Sequence, residues 1–389
     1  MTKQLFLAVV AVCLTASADA DVIQSLTTQR HWIGYAPRNS DPTIGLDASQ
    51  AQIRADLELL YDQGWRSLYT YSLDGNGRHM PRIAKEVGFD QVLAGVFYFD
   101  DAQLAREKAA AIDEQQHIDG FIVGNEGLVF GRYSKAELID AVEFFENFGK
   151  PIGTTEVSGS YFADPSLLDV GDFTYVNIQP WFNQNLNPFD PIAMAATVGG
   201  EFRALQSRRP DNLLVIKEAW WPTAGHPAAT EANQIAFFQA LADITDLDGD
   251  PLLFSWGEAF DQTWKDEPSP FGTLGPDWGL NEENGDEKAI IEALRPLYAS
   301  PYPGAIAAGD FNGDGEIDVL DYVEWIVNFD TSPIVPGIGA DANGDGVVDL
   351  ADYTVWRDAE GPIASAVPEP HSLAMAAGLL AALAARRRG

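Results

Sequence analysis

Between His31 and Trp256, short apolar runs alternate with longer amphipathic ones, and this alternation restricts the fold more than any other feature of the chain. The apolar runs are His31–Ala36, Ser67–Ser72, Gln91–Phe99, Gly120–Val123, Pro151–Val157, Tyr175–Gln179, Leu213–Lys217 and Leu252–Trp256. Between them stand segments such as AQIRADLELLYDQG, DAQLAREKAAAIDEQ, KAELIDAVEFFENFG and EANQIAFFQALADIT. Their apolar residues recur at three and four, the period of a helix with one buried face. A last helical stretch, DEKAIIEALRPL, follows the eighth run after a long loop. Eight short apolar strands, most of them followed by a helix, predict an α/β fold of the (β/α)8 TIM-barrel type. An open doubly wound sheet is the alternative, but GYAPRNSDP after the first run is not a glycine-rich phosphate loop. A barrel places functional residues at the C-terminal ends of its strands.

Two strand ends finish on glutamate. The fourth gives Val123-Gly124-Asn125-Glu126 and the seventh gives LLVIKEAWWPTAG, with Glu218 directly after Lys217. In a barrel these positions face each other across the mouth. Two carboxylates about 5–5.5 Å apart there make a retaining glycosidase, one protonating the leaving oxygen and the other attacking the anomeric carbon. Glu126 is then expected as acid/base and Glu218 as nucleophile. Asn125 is placed to hydrogen-bond the sugar 2-hydroxyl, and Glu156, ending the fifth strand, is an expected substrate contact. A lone glutamate at a strand end is an ordinary rim carboxylate; the pairing gives these two their weight.

These segments resemble the signatures of family 17 glycoside hydrolases. The strand-seven motif of that family runs Glu-Thr-Gly-Trp-Pro-Ser, and Glu218, Trp221, Pro222 and Thr223 follow it, with Trp220 in place of the glycine. FSWGEAFDQTWKDEP resembles the stretch after the family's eighth strand through Glu258, Asp261, Trp264 and Lys265, with Gln262 where a glutamate is common. Tyr71 and Ser72 match the second strand, where Tyr69 replaces arginine. NIQPWF resembles the sixth, with Gln179 and Trp181 substituted. The resemblance spans Trp32 to Leu280 and implies β-glucan, chiefly β-1,3-linked, as substrate and retention as stereochemistry. It also implies substrate contacts at Tyr71, Trp181, Trp221, Glu258, Trp264 and Lys265. Sugars stack their C–H faces on aromatic rings, and Trp221 and Trp264 are the expected platforms. Transglucosylation and non-catalytic carbohydrate binding are the rival readings.

The formal charge of −34 disfavours nucleic acid and anionic membrane surfaces as partners. The five histidines form no ligand-like cluster, and no G-x-S-x-G elbow occurs. The single cysteine, Cys13, lies in MTKQLFLAVVAVCLTASADA, whose lysine, apolar run and Ala-Asp-Ala ending predict a secretory signal over residues 1–20. The expected barrel covers residues 21–298, and ASPYPGAIAA, residues 299–308, reads as a linker.

Residues 309–362 contain DFNGDGEIDVLD from Asp310 and DANGDGVVDLAD from Asp341, 31 residues apart. Oxygen-bearing residues at positions 1, 3, 5, 9 and 12 around a glycine at 6 make an EF-hand calcium loop. The expected Ca2+ ligands are Asp310, Asn312, Asp314, Asp318 and Asp321, with the Glu316 carbonyl. The second set is Asp341, Asn343, Asp345, Asp349 and Asp352, with the Val347 carbonyl. The tandem resembles a type I dockerin, a small α-helical module, which implies a cohesin-like or other surface receptor. Positions 10 and 11, Val319-Leu320 and Leu350-Ala351, depart from the small polar or basic pairs of cellulosomal dockerins. Finally, residues 363–389 contain Pro368-Glu369-Pro370, an apolar stretch and Arg386-Arg387-Arg388. This order resembles the PEP-CTERM sorting signal, which implies an exosortase-type processing protease and extracellular or cell-surface export of the Gram-negative type.

Overall fold

The computed structural model describes residues 19–97, 99–182, 189–266, 275–302, 309–311, 317–331, 340–342 and 347–359. Seven strands form one parallel sheet in sequence order: β1 (Trp32–Tyr35), β2 (Ser67–Thr70), β3 (Gln91–Val96), β4 (Gly120–Val123), β5 (Ile152–Thr154), β6 (Phe173–Asn177) and β7 (Leu213–Glu218). Parallel neighbours require crossover connections, and helices supply them. Several of these helices start where a short polar side chain takes up an orphan backbone N–H. Ser49 and Ser134 make full capping boxes for Gln50–Gln63 and Lys135–Glu146, and Asp100, Asp190 and Thr230 cap later helices.

The expected eighth strand is realised differently. Residues 253–256 bond to both edges of the sheet through single bridges, Ile216 with Phe254 and Ile33 with Trp256. The bonds include Ser255 N to Ile216 O at 2.9 Å and Gly34 N to Trp256 O at 2.8 Å. The sheet is thus curled so that one segment touches both its first and last strands, as in a TIM barrel.

Both ends of the expected barrel are packed against the sheet. A helix at Asp19–Thr28 runs across the expected cleavage point after Ala20. Its Val22 and Leu26 are buried against Trp32, Tyr69, Leu93, Ile122, Phe173, Tyr175 and Val215 from the sheet interior. At the other end the expected linker begins inside the packing. Tyr302 is buried, its Oη donates to Phe254 O at 3.0 Å and its N–H to Thr28 O at 2.9 Å. The rest of the linker from residue 303, most of the expected signal and the C-terminal sorting segment lie outside the described residues.

Two short helices, Val319–Asn328 and Leu350–Ala359, form a separate apolar cluster with Phe311, Trp325, Val348 and Trp356. Each loop caps a helix: Asp318 N–H donates to Asp321 Oδ2, and Asp349 N–H to Asp352 Oδ2, both at 2.7 Å. The tryptophans bond reciprocally, Trp325 Nε1 to Asp349 O at 2.7 Å and Trp356 Nε1 to Asp318 O at 2.9 Å. The repeat in sequence is therefore a repeat in contacts. Asp310, Asp321, Asp341 and Asp352 are buried at these junctions. Asn312, Asp314, Glu316, Asn343 and Asp345 lie outside the described residues. Among the described residues no three acidic, histidine or cysteine side chains converge as a metal cluster.

Candidate active site

The site lies at the C-terminal ends of β4, β5, β6 and β7. After β4 the chain turns sharply at Gly124, whose φ is +89°; a Cβ there would lie 2.4 Å from Tyr133 Oη. That turn brings Tyr133 under the loop. Its hydroxyl accepts from Asn125 N at 2.9 Å and Gly127 N at 3.1 Å, and donates to Glu156 Oε1 at 2.5 Å. Glu126 itself adopts a left-handed conformation, φ +55°, uncommon for a residue with a Cβ. Its N–H donates to Thr155 O at 3.1 Å, and its Oε1 accepts from Asn177 Nδ2 at 2.8 Å. Burial, then the neighbouring charge of Glu218, push the Glu126 carboxyl upward. Both causes penalise the ionised form.

Glu156 is not at the mouth as a substrate contact. It is 1% exposed, beneath the Glu126 loop, and holds Tyr133 and the Leu128 N–H. Burial pushes it up to about 7 in spite of those bonds.

On the facing side β7 carries an irregularity. Val176 pairs with Ile216 and Asn177 with Glu218, so Lys217 is an extra residue. A bulge of this kind breaks the in–out alternation of the strand, and both Lys217 and Glu218 turn inward. Lys217 Nζ donates to Glu218 Oε1 at 2.9 Å and to Asn125 Oδ1 at 2.6 Å. It also lies 4.6 Å from the Tyr71 ring centre and 5.4 Å from that of Tyr69. The ammonium thus ties the β4 end to the β7 end.

The remaining expected contacts divide. Tyr71 borders the site under Lys217. Glu258 is buried and accepts both bonds from Lys265 Nζ, at 2.5 and 2.7 Å. Burial raises the Glu258 carboxyl, with Lys265 opposing. Trp264 is half-buried, its Nε1 on Gln262 Oε1 at 2.7 Å. Trp221 is fully buried, its Nε1 on Ala228 O at 3.0 Å and its ring against Trp181 and Phe237. It is therefore wall rather than sugar platform, because no ring face is left to solvent. Trp181 is 5% exposed and packs on Phe189 and His226. Gln179 and Trp220, both departures from the family pattern, touch: Trp220 N donates to Gln179 Oε1 at 3.2 Å. Lys288 joins Thr223 Oγ1 and Asp261 Oδ1, each at 2.8 Å, linking the loops after β7 and after residue 256.

Lys217, Asn177 and Tyr133 were not among the expected site residues. A lysine inside LLVIKE is a visible signal, since a charge in an otherwise buried strand needs a partner. Tyr133 offered none, because its contacts depend on how the chain turns at Gly124 rather than on spacing.

The model of the BtgE/BtgC glycoside hydrolase domain matches residues 33–279. The chain belongs to this family. Among relatives of the glycoside hydrolase domain is a glucan 1,3-beta-glucosidase of Saccharomyces cerevisiae, 24% identical over 243 residues that cover 54% of this chain and 74% of that protein. A probable beta-glucosidase of Aspergillus oryzae is 23% identical over 258 residues, 61% of this chain and 40% of that protein. The chain thus spans well under half of that relative's length. A family 17 beta-1,3-glucanosyltransferase from Rhizomucor miehei shares the fold, with TM-score 0.55 and 16% identity over 68% of this chain and 97% of that one. Separately, a PEP-CTERM protein-sorting motif matches residues 366–388, which indicates extracellular or cell-surface export. The protein is a glycosidase by its family.

Proposed function

We propose that this glycoside hydrolase is an exported retaining enzyme acting on β-glucan, chiefly β-1,3-linked, within a (β/α)8 barrel. The observation that carries the reading is the contrast between its two carboxylates. Glu126, buried, raised and with a neutral amide on Oε1, is the proton donor through Oε2; Glu218, held by the Lys217 ammonium, is the nucleophile. Glu126 protonates the glycosidic oxygen as the Glu218 oxygen bonds to the anomeric carbon and the leaving sugar departs. Glu126, now ionised, then takes a proton from the water that releases the glycosyl group. Asn125 donates to the 2-hydroxyl. The name of the Saccharomyces cerevisiae relative supports the β-1,3 linkage.

The C-terminal pair of helices is, in this reading, a dockerin-like calcium module that docks on a cohesin-like or other surface receptor. Its four buried aspartates at two loop–helix junctions fit a hard cation that takes many oxygens. Asp310, Asp321, Asp341 and Asp352 would hold Ca2+ with the loop residues between them. The sorting motif supports processing by an exosortase-type protease.

Reducing-sugar release from laminarin, mixed-linkage glucan and β-1,6-glucan, measured side by side, tests the assignment. Laminarin is expected to be cleaved fastest, and Glu218→Gln to lose at least about 10⁴-fold in kcat while staying folded. Near wild-type activity in that variant would sink the assignment. Accumulation of longer oligosaccharides from short ones would turn it to transglucosylation.

A further inference from the structure

The buried ammonium of Lys217 is not needed to fold a parallel strand. Its side chain is 1% exposed, and an ammonium is kept in such a place only with partners that replace water. Two of its three N–H groups go to Glu218 Oε1 and Asn125 Oδ1, and the ammonium lies over the Tyr69 and Tyr71 rings. The bulge in β7 is what allows this, since a regular strand would turn Lys217 away from Glu218.

The bond to Asn125 has a chemical consequence. An amide side chain can present either its oxygen or its nitrogen to a ligand. A cation 2.6 Å from Oδ1 permits only one choice. The oxygen is held by Lys217, so the two N–H groups of Nδ2 are left for another acceptor. Among the described residues Nδ2 makes no hydrogen bond to protein. The backbone of Asn125 is held as well, its N–H on Tyr133 Oη and its carbonyl on Arg132 Nη2. The side chain is therefore fixed in position by one lysine and in register by the acid loop.

We infer that Lys217 is a positioning residue that orients and polarises Asn125 as a donor to the 2-hydroxyl of the sugar being transferred, while holding Glu218 for attack. This deepens the retaining-glycosidase reading and rests on it. Donation from an amide whose oxygen accepts from a cation is strengthened, because charge drawn toward Oδ1 leaves the Nδ2 protons more positive. A lysine present only to neutralise Glu218 would make no such distinction among substrates.

The test compares wild type and Lys217→Met on 2,4-dinitrophenyl β-laminaribioside and on the same compound deoxygenated at C2 of the transferred residue. The activated leaving group removes the need for proton donation. Lys217→Met is expected to lower kcat/KM on the parent about a hundredfold and on the 2-deoxy compound only about tenfold, as coupled groups do in a double-mutant cycle. Equal losses on both compounds, in a protein that retains its near-ultraviolet circular dichroism, would overturn the inference. Should Lys217→Met fail to fold, Lys217→Arg carries the same comparison. Its preference for the parent compound falls if Lys217 orients Asn125, because a guanidinium seats the amide differently, and is unchanged if it does not. A wild-type protein that releases dinitrophenol from neither compound would remove the glycosidase reading itself, a different failure from equal losses.

Discussion

Glu126 and Glu218 both stand at the C-terminal end of a parallel strand, yet the chain surrounds them with different partners. On the Glu126 side the carboxyl accepts from the Asn177 amide, the backbone N–H donates to the Thr155 carbonyl, a tyrosine braces the loop from below and Arg132 holds the Asn125 carbonyl. Its support, Glu156, is itself a buried carboxyl raised to about 7. The Glu218 side is built around a cation, with Lys217 in direct contact and the Lys265–Glu258 pair nearby. A site made of two equal carboxylates would leave acid and nucleophile interchangeable. Here burial and the neighbouring Glu218 raise the Glu126 carboxyl, whereas Glu218 is in direct contact with an ammonium.

The bracing of the acid side can be broken without touching either carboxylate. Tyr133→Phe removes the acceptor for two loop N–H groups and the donor to Glu156. It is expected to lower kcat about tenfold on glucans while sparing substrates with activated leaving groups, as loss of general-acid positioning does. Equal losses on both would mean that Tyr133 serves folding alone.

A second, smaller effect concerns stability. Glu156 has its ordinary carboxylate value when unfolded and about 7 when folded. Between those values the native state binds the proton and the unfolded state does not, so stability falls as pH rises from about 4.5 to about 7. Thermal midpoints of Glu156→Gln across that window should show a shallower fall than wild type. Some slope remains, because buried Asp261 is raised to about 6 and acts with the same sign. Identical slopes would remove Glu156 as a titrating support.

The smallest effect on catalysis is expected at the C-terminal helix pair. Calcium chelation should alter the signals of Trp325 and Trp356, which report that cluster, and leave glucan cleavage unchanged. Calorimetric titration showing no calcium uptake would refute the ligand assignment.

How legible these two sides were differs for a physical reason. The alternation of short apolar and amphipathic runs announced the parallel sheet, and Glu126 and Glu218 were visible because each ends a strand. The inward turn of Lys217 was not, since pattern reading assumes a regular pleat and a bulge breaks it. Trp221 was read as a platform from its motif, but burial depends on what packs behind it, here Phe237 and Trp181. The Asp19–Thr28 helix precedes the first apolar run and has no strand partner in the alternation, though its Val22 and Leu26 fill the interior of the sheet. The segment 253–256 gives only bridges where a strand was expected, because its bonds are shared between two edges.

Azide rescue tests the division of roles most directly. With an activated β-glucoside and sodium azide, Glu126→Ala should still form the glycosyl-enzyme on Glu218 and yield the β-glycosyl azide. Glu218→Ala should yield the α-azide, from attack in the space the nucleophile occupied. The opposite pairing of variants and anomers, or the same anomer from both, would contradict the assignment of acid to Glu126 and nucleophile to Glu218.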